Sequence, residues 1–190
     1  MASTIPIPSE AGDVATLGAA LDASTHAERM AWMRTLNGKE LAAVYAMAAD
    51  GPALEVGHFH GEPGEVVIHH GQNSLAFFSA FQKRVVDNDG VLQGYNHQTM
   101  SWLTGPGHFT LSQDGGEVLF DYTREPVTPF DAFPPLKKNT SGISLLVYGH
   151  MVDRVRRVSR DCVIGTAFKK DKPFDAWFML IREGVSSSAN

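Results

Sequence analysis

The chain has one cysteine, Cys162, in 190 residues. An internal disulfide is impossible, which excludes the stapled scaffold of a small secreted domain. Its neighbours Val163 and Ile164 mark a buried thiol, not a reactive one. Charge is also sparse: Asp, Glu, Lys and Arg make up 19% of the residues, and the net charge is −5. Nucleic-acid binders carry a basic stripe. The one dense basic cluster here, Arg154, Arg156, Arg157 and Arg160, is flanked by Asp153 and Asp161, so nucleic acid is not an expected partner. Residues Met1 to Thr25 contain no Lys, no Arg and no continuous apolar run, which speaks against a signal or transit peptide. No window approaches the roughly 20 apolar residues of a membrane-spanning helix, and no basic amphipathic helix offers a surface anchor. Cytoplasmic residence, with no membrane partner, is the expectation. No P-loop and no dinucleotide fingerprint precedes a helix, so no nucleotide cofactor is expected, nor any other.

Hydrophobic residues make up 43% of the chain, enough to fill a sizeable core. The length suits a single domain, residues 1–190, with a helical N-terminal segment over 1–50 and a β-barrel-like region over 51–190. Residues 1–12 read as an irregular arm. Asp13 is placed to cap a helix that carries Val14, Leu17 and Leu21 on one face. Thr25 with Glu28, and Asn37 with Glu40, have capping-box spacing and open helices carrying Met30 and Met33, then Leu41 and Val44. Two or three short N-terminal helices are therefore predicted. The spacing of Leu75, Phe78, Phe81 and Val85 predicts one more helix over 74–86.

Elsewhere the period is two. Glu65–His70, Val91–Gln98, His108–Ser112, Glu117–Tyr122, Ile143–Tyr148, Met151–Val158, Cys162–Phe168 and Asp175–Arg182 read as short strands. Asp87-Asn88-Asp89-Gly90 and Gln113-Asp114-Gly115-Gly116 are hairpin signals. The last strand is apolar on both faces, with Trp177, Met179 and Ile181 on one and Ala176, Phe178 and Leu180 on the other. Such a strand needs a filled interior and an outer cover. Seven or eight meandering strands avoid exposed edges by closing on themselves. The expected fold is α+β, mainly β: an antiparallel lipocalin-like barrel, covered by the N-terminal helices or by the one near 74–86.

The segment Val147–Gly165 contains the pattern G-x-M-V-D-x-x-R-R-V over Gly149–Val158, and the chain closes on Trp177-Phe-Met-Leu-Ile-Arg182. These features resemble the C-terminal half of bacterial lipocalin-like (calycin-type) proteins that carry a GXWXG motif. The resemblance covers about a fifth of the chain and implies the barrel fold. The GXWXG motif itself is absent, and Ser101-Trp102-Leu103-Thr104-Gly105 has a Trp and a Gly in another arrangement.

Two constellations carry chemistry. His58-Phe59-His60 followed by Glu65 is similar to the first metal-binding motif of cupins, because neutral imidazoles two apart on a strand share a face. The same residues also suit a Gly/Pro-rich loop with solvent-exposed histidines. The second constellation is Tyr95, His97, Trp102, Tyr122, Tyr148, His150, Arg154, Arg156 and Trp177. If these face a barrel lumen, aromatic walls and a few polar groups make a small-molecule site. Arg would hold a carboxylate or enolate and His would move a proton. The competing reading keeps the aromatics in the core and the arginines in surface ion pairs. The leading expectation is binding of a small hydrophobic or aromatic molecule, with isomerase or cyclase activity on it as a variant. The alternatives are a cupin-like metalloenzyme and a non-catalytic structural or interaction domain. Homo-oligomerisation is left open.

Overall fold

The computed structural model of the chain describes residues 5–75, 79–98, 105–137, 139, 148–170 and 172–184. The N-terminal segment forms four helices: α1 (Pro8–Ala11), α2 (Val14–Asp22), α3 (His26–Met33) and α4 (Gly38–Met47). The starts of α2, α3 and α4 follow the caps read from the sequence, whereas α1 lies in the stretch read as an irregular arm and begins at Pro8 with no side-chain cap. The Asp13 carboxylate accepts from the Thr16 amide at 2.7 Å. Thr25 with Glu28 and Asn37 with Glu40 close reciprocal capping boxes. Each box satisfies two amides that a helix start otherwise leaves bare.

Eight strands follow: β1 (Val67–Asn73), β2 (Ala80–Asn88), β3 (Val91–His97), β4 (His108–Asp114), β5 (Glu117–Asp121), β6 (Met151–Arg157), β7 (Cys162–Lys169) and β8 (Lys172–Arg182). Each pairs antiparallel with the next, and β8 pairs back onto β1, so the sheet is a closed up-and-down barrel. Closure leaves no edge to template another chain. Asp89 and Gly90 both have positive φ and turn β2 into β3; Gly115 does so between β4 and β5.

The helix predicted over 74–86 is corrected: Ala80–Asn88 is strand β2. Phe81, Lys83 and Val85 fit a two-residue period as well as a helical one, and pairing on both sides, with β1 and β3, decides for the strand. The strand expected at Ile143–Tyr148 lies outside the described residues up to 147, as do Trp102 and the Ser186–Ser188 tail.

The two faces of the barrel wall carry three clusters of buried side chains, the smallest being Val86, Tyr95 and Phe133 on the outside. Outside, Cys162, Ile164, Met179 and Ile181 pack with Leu17, Leu21, Met33, Leu41 and Val44 of the helices. The N-terminal helices are therefore the cover that the doubly apolar β8 required. This position buries Cys162 and pushes its thiol up to about 12, mainly by desolvation. Inside, Val85, Phe109, Val118, Phe120, Val155, Val163 and Leu180 form a second core. Leu54 and Phe59, from the segment leading into β1, belong to it. Gln113 ties that segment to the β4–β5 hairpin by accepting from the Val56 amide and donating to the Leu54 carbonyl, so one end of the barrel is plugged.

Candidate functional site

The other half of the interior is not filled. A cavity of about 270 Å³ lies there, lined by apolar groups such as Phe81, Met151, Ala167, Phe174, Ala176 and Phe178. The share of one liquid water is ~30 Å³, so the space equals roughly nine waters. It reaches solvent beside Leu75 and Phe174, which are 43% and 51% exposed. Four polar side chains line its inner part: Lys83 from β2, Asn96 from β3, Tyr122 just after β5 and Asp153 from β6.

These four form one network. Lys83 Nζ donates to Asp153 Oδ2 at 3.1 Å, to Asn96 Oδ1 at 3.1 Å and to the Tyr122 hydroxyl oxygen. Asn96 Nδ2 donates to Tyr122 Oη at 2.9 Å, and Tyr122 Oη lies 3.3 Å from Asp153 Oδ2. Lys83 is 2% exposed and Asp153 is 3% exposed. Burial pushes the Lys83 ammonium down and the Asp153 carboxyl up, and the attraction between them opposes both shifts. Tyr122 is held well above the ordinary phenol range by burial and by the Asp153 charge. Every shift favours the uncharged form, as expected where water is excluded.

The ammonium sits in an aromatic cage. Nζ lies 4.6 Å from the ring centre of Phe120, 4.8 Å from Phe109, 5.0 Å from Tyr122, 5.1 Å from Phe178 and 5.7 Å from Phe81. Ring faces at these distances attract a cation and partly replace its lost hydration. Glycines seat three of these rings. Gly71, Gly94 and Gly165 are the cross-strand partners of Phe81, Phe109 and Phe178. A Cβ on any of them would lie 2.3–2.7 Å from the facing ring. Only glycine lets each ring lie flat on the neighbouring strand.

The sequence-predicted residues divide by face. Tyr122 and Tyr148 line the cavity, their rings stacked at 5.3 Å and 16°. Trp177 borders the cavity, but it lies on the face of β8 that carries Met179 and Ile181 and packs against the helix-side core. Tyr95 points outward, buried against Phe133 at 4.8 Å, and His97 is exposed on the same outer face. His150 is exposed, with φ 58° in the turn before β6. Arg154 and Arg156 also point outward. Arg154 pairs with Asp114 at 3.0 Å and Glu117 at 2.9 Å, and Arg156 pairs with Glu117 at 2.6 Å and stacks on Tyr45 of α4.

The cupin-type ligand set is not assembled. His58 ends a short 3₁₀ turn, packs against Phe59 and His69, and is driven down to about 3 by burial and by Arg182 and Arg157. His60 Nδ1 is 2.8 Å from the Gly61 carbonyl oxygen, and Glu65 accepts from the Glu62 amide. Among the described residues, no group of three His, Cys, Asp or Glu side chains is placed to hold a metal ion. The meandering strand order also differs from a jelly roll.

Sequence reasoning passed over Lys83, Asn96 and Asp153. For Lys83 and Asp153 the signal was a polar residue set between inward apolar neighbours two positions away, Phe81 and Val85 around the first and Met151 and Val155 around the second; Asn96, between Gly94 and Gln98, carried none. No helix among the described residues is long and apolar enough to cross a membrane. No family model, curated protein or solved structure matches the chain.

Proposed function

We propose that the barrel binds one small, mainly apolar molecule in its cavity, with a single hydrogen-bonding group of that molecule directed at Lys83, Tyr122 and Asn96. One observation carries this reading: a cavity of about 270 Å³ stands directly against a buried, charged network. A barrel serving only as packing gains nothing from either. Replacing a buried ion pair by apolar side chains is often neutral or stabilising, and filling a void recovers lost contacts. Small-molecule sites combine apolar walls with a few convergent polar groups, which is the composition found here. The cavity, at about 270 Å³, falls just below the roughly 300–1,000 Å³ seen for such sites, so the ligand is small.

Isomerase or cyclase activity fits the same arrangement. The Tyr122 hydroxyl and Lys83 ammonium are donors suited to a developing oxyanion, in a site shielded from water. Kinship with the GXWXG-motif lipocalin-like proteins is part of the proposal. The Gly149–Val158 pattern that carries the resemblance runs through β6 and includes Asp153.

The test is a native mass spectrum of untagged protein against its denatured mass, followed by titration with cinnamyl alcohol, read by tryptophan fluorescence. A retained organic molecule, or saturable one-to-one quenching that Ala167→Phe abolishes while the circular dichroism spectrum is kept, supports the reading. Bare protein with no saturable quenching sinks it and favours a packed interaction domain.

A further inference from the structure

We infer that Lys83 is the nucleophile of this cavity and that its ligand is an aldehyde or ketone, held as an imine on Nζ. The inference rests on the cavity being a ligand site. Among the described residues lining the cavity, Lys83 supplies the one amine, and no Ser, Thr, Cys or His accompanies it. Cys162 belongs to the core on the helix side of the wall. A covalent step at this site therefore goes through nitrogen.

The neighbours of Nζ are those that imine formation requires. The amine must be uncharged to attack, and Asp153 Oδ2 at 3.1 Å is in place to take its proton. That transfer turns an ion pair into a neutral pair without changing the total charge in the cage, and burial away from water favours the neutral form. Tyr122 touches both Nζ and the carboxylate, so it can pass a proton between Asp153 and a carbonyl oxygen above it. Asn96 accepts from Lys83 and donates to Tyr122, which fixes how the two face each other.

The step balances with the carbonyl compound as its one co-reactant. Lys83 gives a proton to Asp153, and the freed nitrogen pair bonds to the carbonyl carbon. The carbonyl oxygen takes the Asp153 proton through Tyr122. The attached nitrogen then gives a proton back to Asp153. The carbon–oxygen bond breaks, the hydroxyl leaves as water with that proton, and the nitrogen pair closes a protonated C=N bond. In sum, ammonium and carbonyl become iminium and water. An iminium draws electrons from the adjacent carbon and so acidifies its C–H bond. This is the chemistry an isomerisation needs.

The experiment treats the folded full-length protein with limiting cinnamaldehyde and sodium cyanoborohydride, then maps the reduced adduct by peptide mass spectrometry. Cinnamyl alcohol, which cannot form an imine, is titrated in parallel. The expected result is one adduct, equal to the aldehyde less one oxygen, on Lys83. It forms at least roughly tenfold faster than on any other lysine, because burial holds the Lys83 ammonium down and leaves more of its amine free to attack. The alcohol competes this labelling away, and Lys83→Met removes it. Saturable binding of the alcohol without selective labelling of Lys83 overturns the imine and leaves the cavity reading standing. Absence of both binding and labelling overturns both. The competition on wild-type protein keeps the test decisive even if Lys83→Met does not fold.

Discussion

At the plugged end of the barrel, Phe59 meets Phe120 at 5.0 Å, and Leu54, Phe59, Val85, Phe120, Val155 and Leu180 have no exposed surface. At the open end, Phe174 and Leu75 stand at the rim of an empty space, and a lysine and an aspartate are buried beneath it. The same eight strands build both halves. The first half returns the largest gain in stability per residue. The second forgoes packing and adds the desolvation cost of two charges. The proposed ligand site gives that region a use, and mutation can measure the division of labour.

The largest effects are expected where a buried partner is removed. Asp153→Ala leaves the Lys83 charge unpaired and should cost about 3–5 kcal/mol in urea unfolding. The double change Lys83→Met with Asp153→Leu should recover most of that loss. If it does not, the pair is holding the structure together more than it is serving a site. Phe59→Ala at the plugged end should cost a similar amount, about 3–5 kcal/mol, with no compensating second change expected.

The plugged end should also carry a marked acid sensitivity through His58. His58 is neutral in the fold, down to about pH 3, whereas an unfolded histidine titrates near 6.5. The unfolded chain therefore binds more protons in that window. Stability is intact above 6.5 and falls as the pH drops toward about 3, by up to about 1.4 kcal/mol per pH unit for this group. His69 is shifted in the same direction by burial. Melting curves across this range should flatten in His58→Phe.

Two smaller effects complete the contrast. Phe174→Ala at the rim should change stability by less than about 0.5 kcal/mol while weakening retention of cinnamyl alcohol. Arg154→Ala should cost about 0.2–1 kcal/mol, because its partners Asp114 and Glu117 are reached across solvent-exposed surface. It should leave ligand retention unchanged. Loss of retention in Arg154→Ala would move the site to the outer face of β6.

Much of the fold was legible. The barrel, its helical cover and the burial of Cys162 follow from caps, turns and the doubly apolar β8. The site was less so. Tyr122 and Tyr148 were picked out as aromatics of alternating segments, whereas Trp177 packs on the helix side of β8. Tyr95 and His97, with Arg154 and Arg156, came from the opposite parity of β3 and β6. Alternation reveals two faces without saying which is inside, and a one-residue change of register exchanges them. Lys83 was hidden for another reason. Helical and strand periods both fit Phe81 and Val85, and a lysine between them looks like a solvated face in the helix.

The sequence by itself determined the local elements: the capping boxes at Thr25 and Asn37, the hairpin at Asp89-Gly90 and the strand that had to be covered twice. Each depends on residues a few positions apart. Only the tertiary structure decided that Lys83 faces inward and meets Asp153, 70 residues further along the chain. That contact exists because the barrel closes. Closure is a balance of pairing and burial summed over all eight strands, and no local pattern contains it.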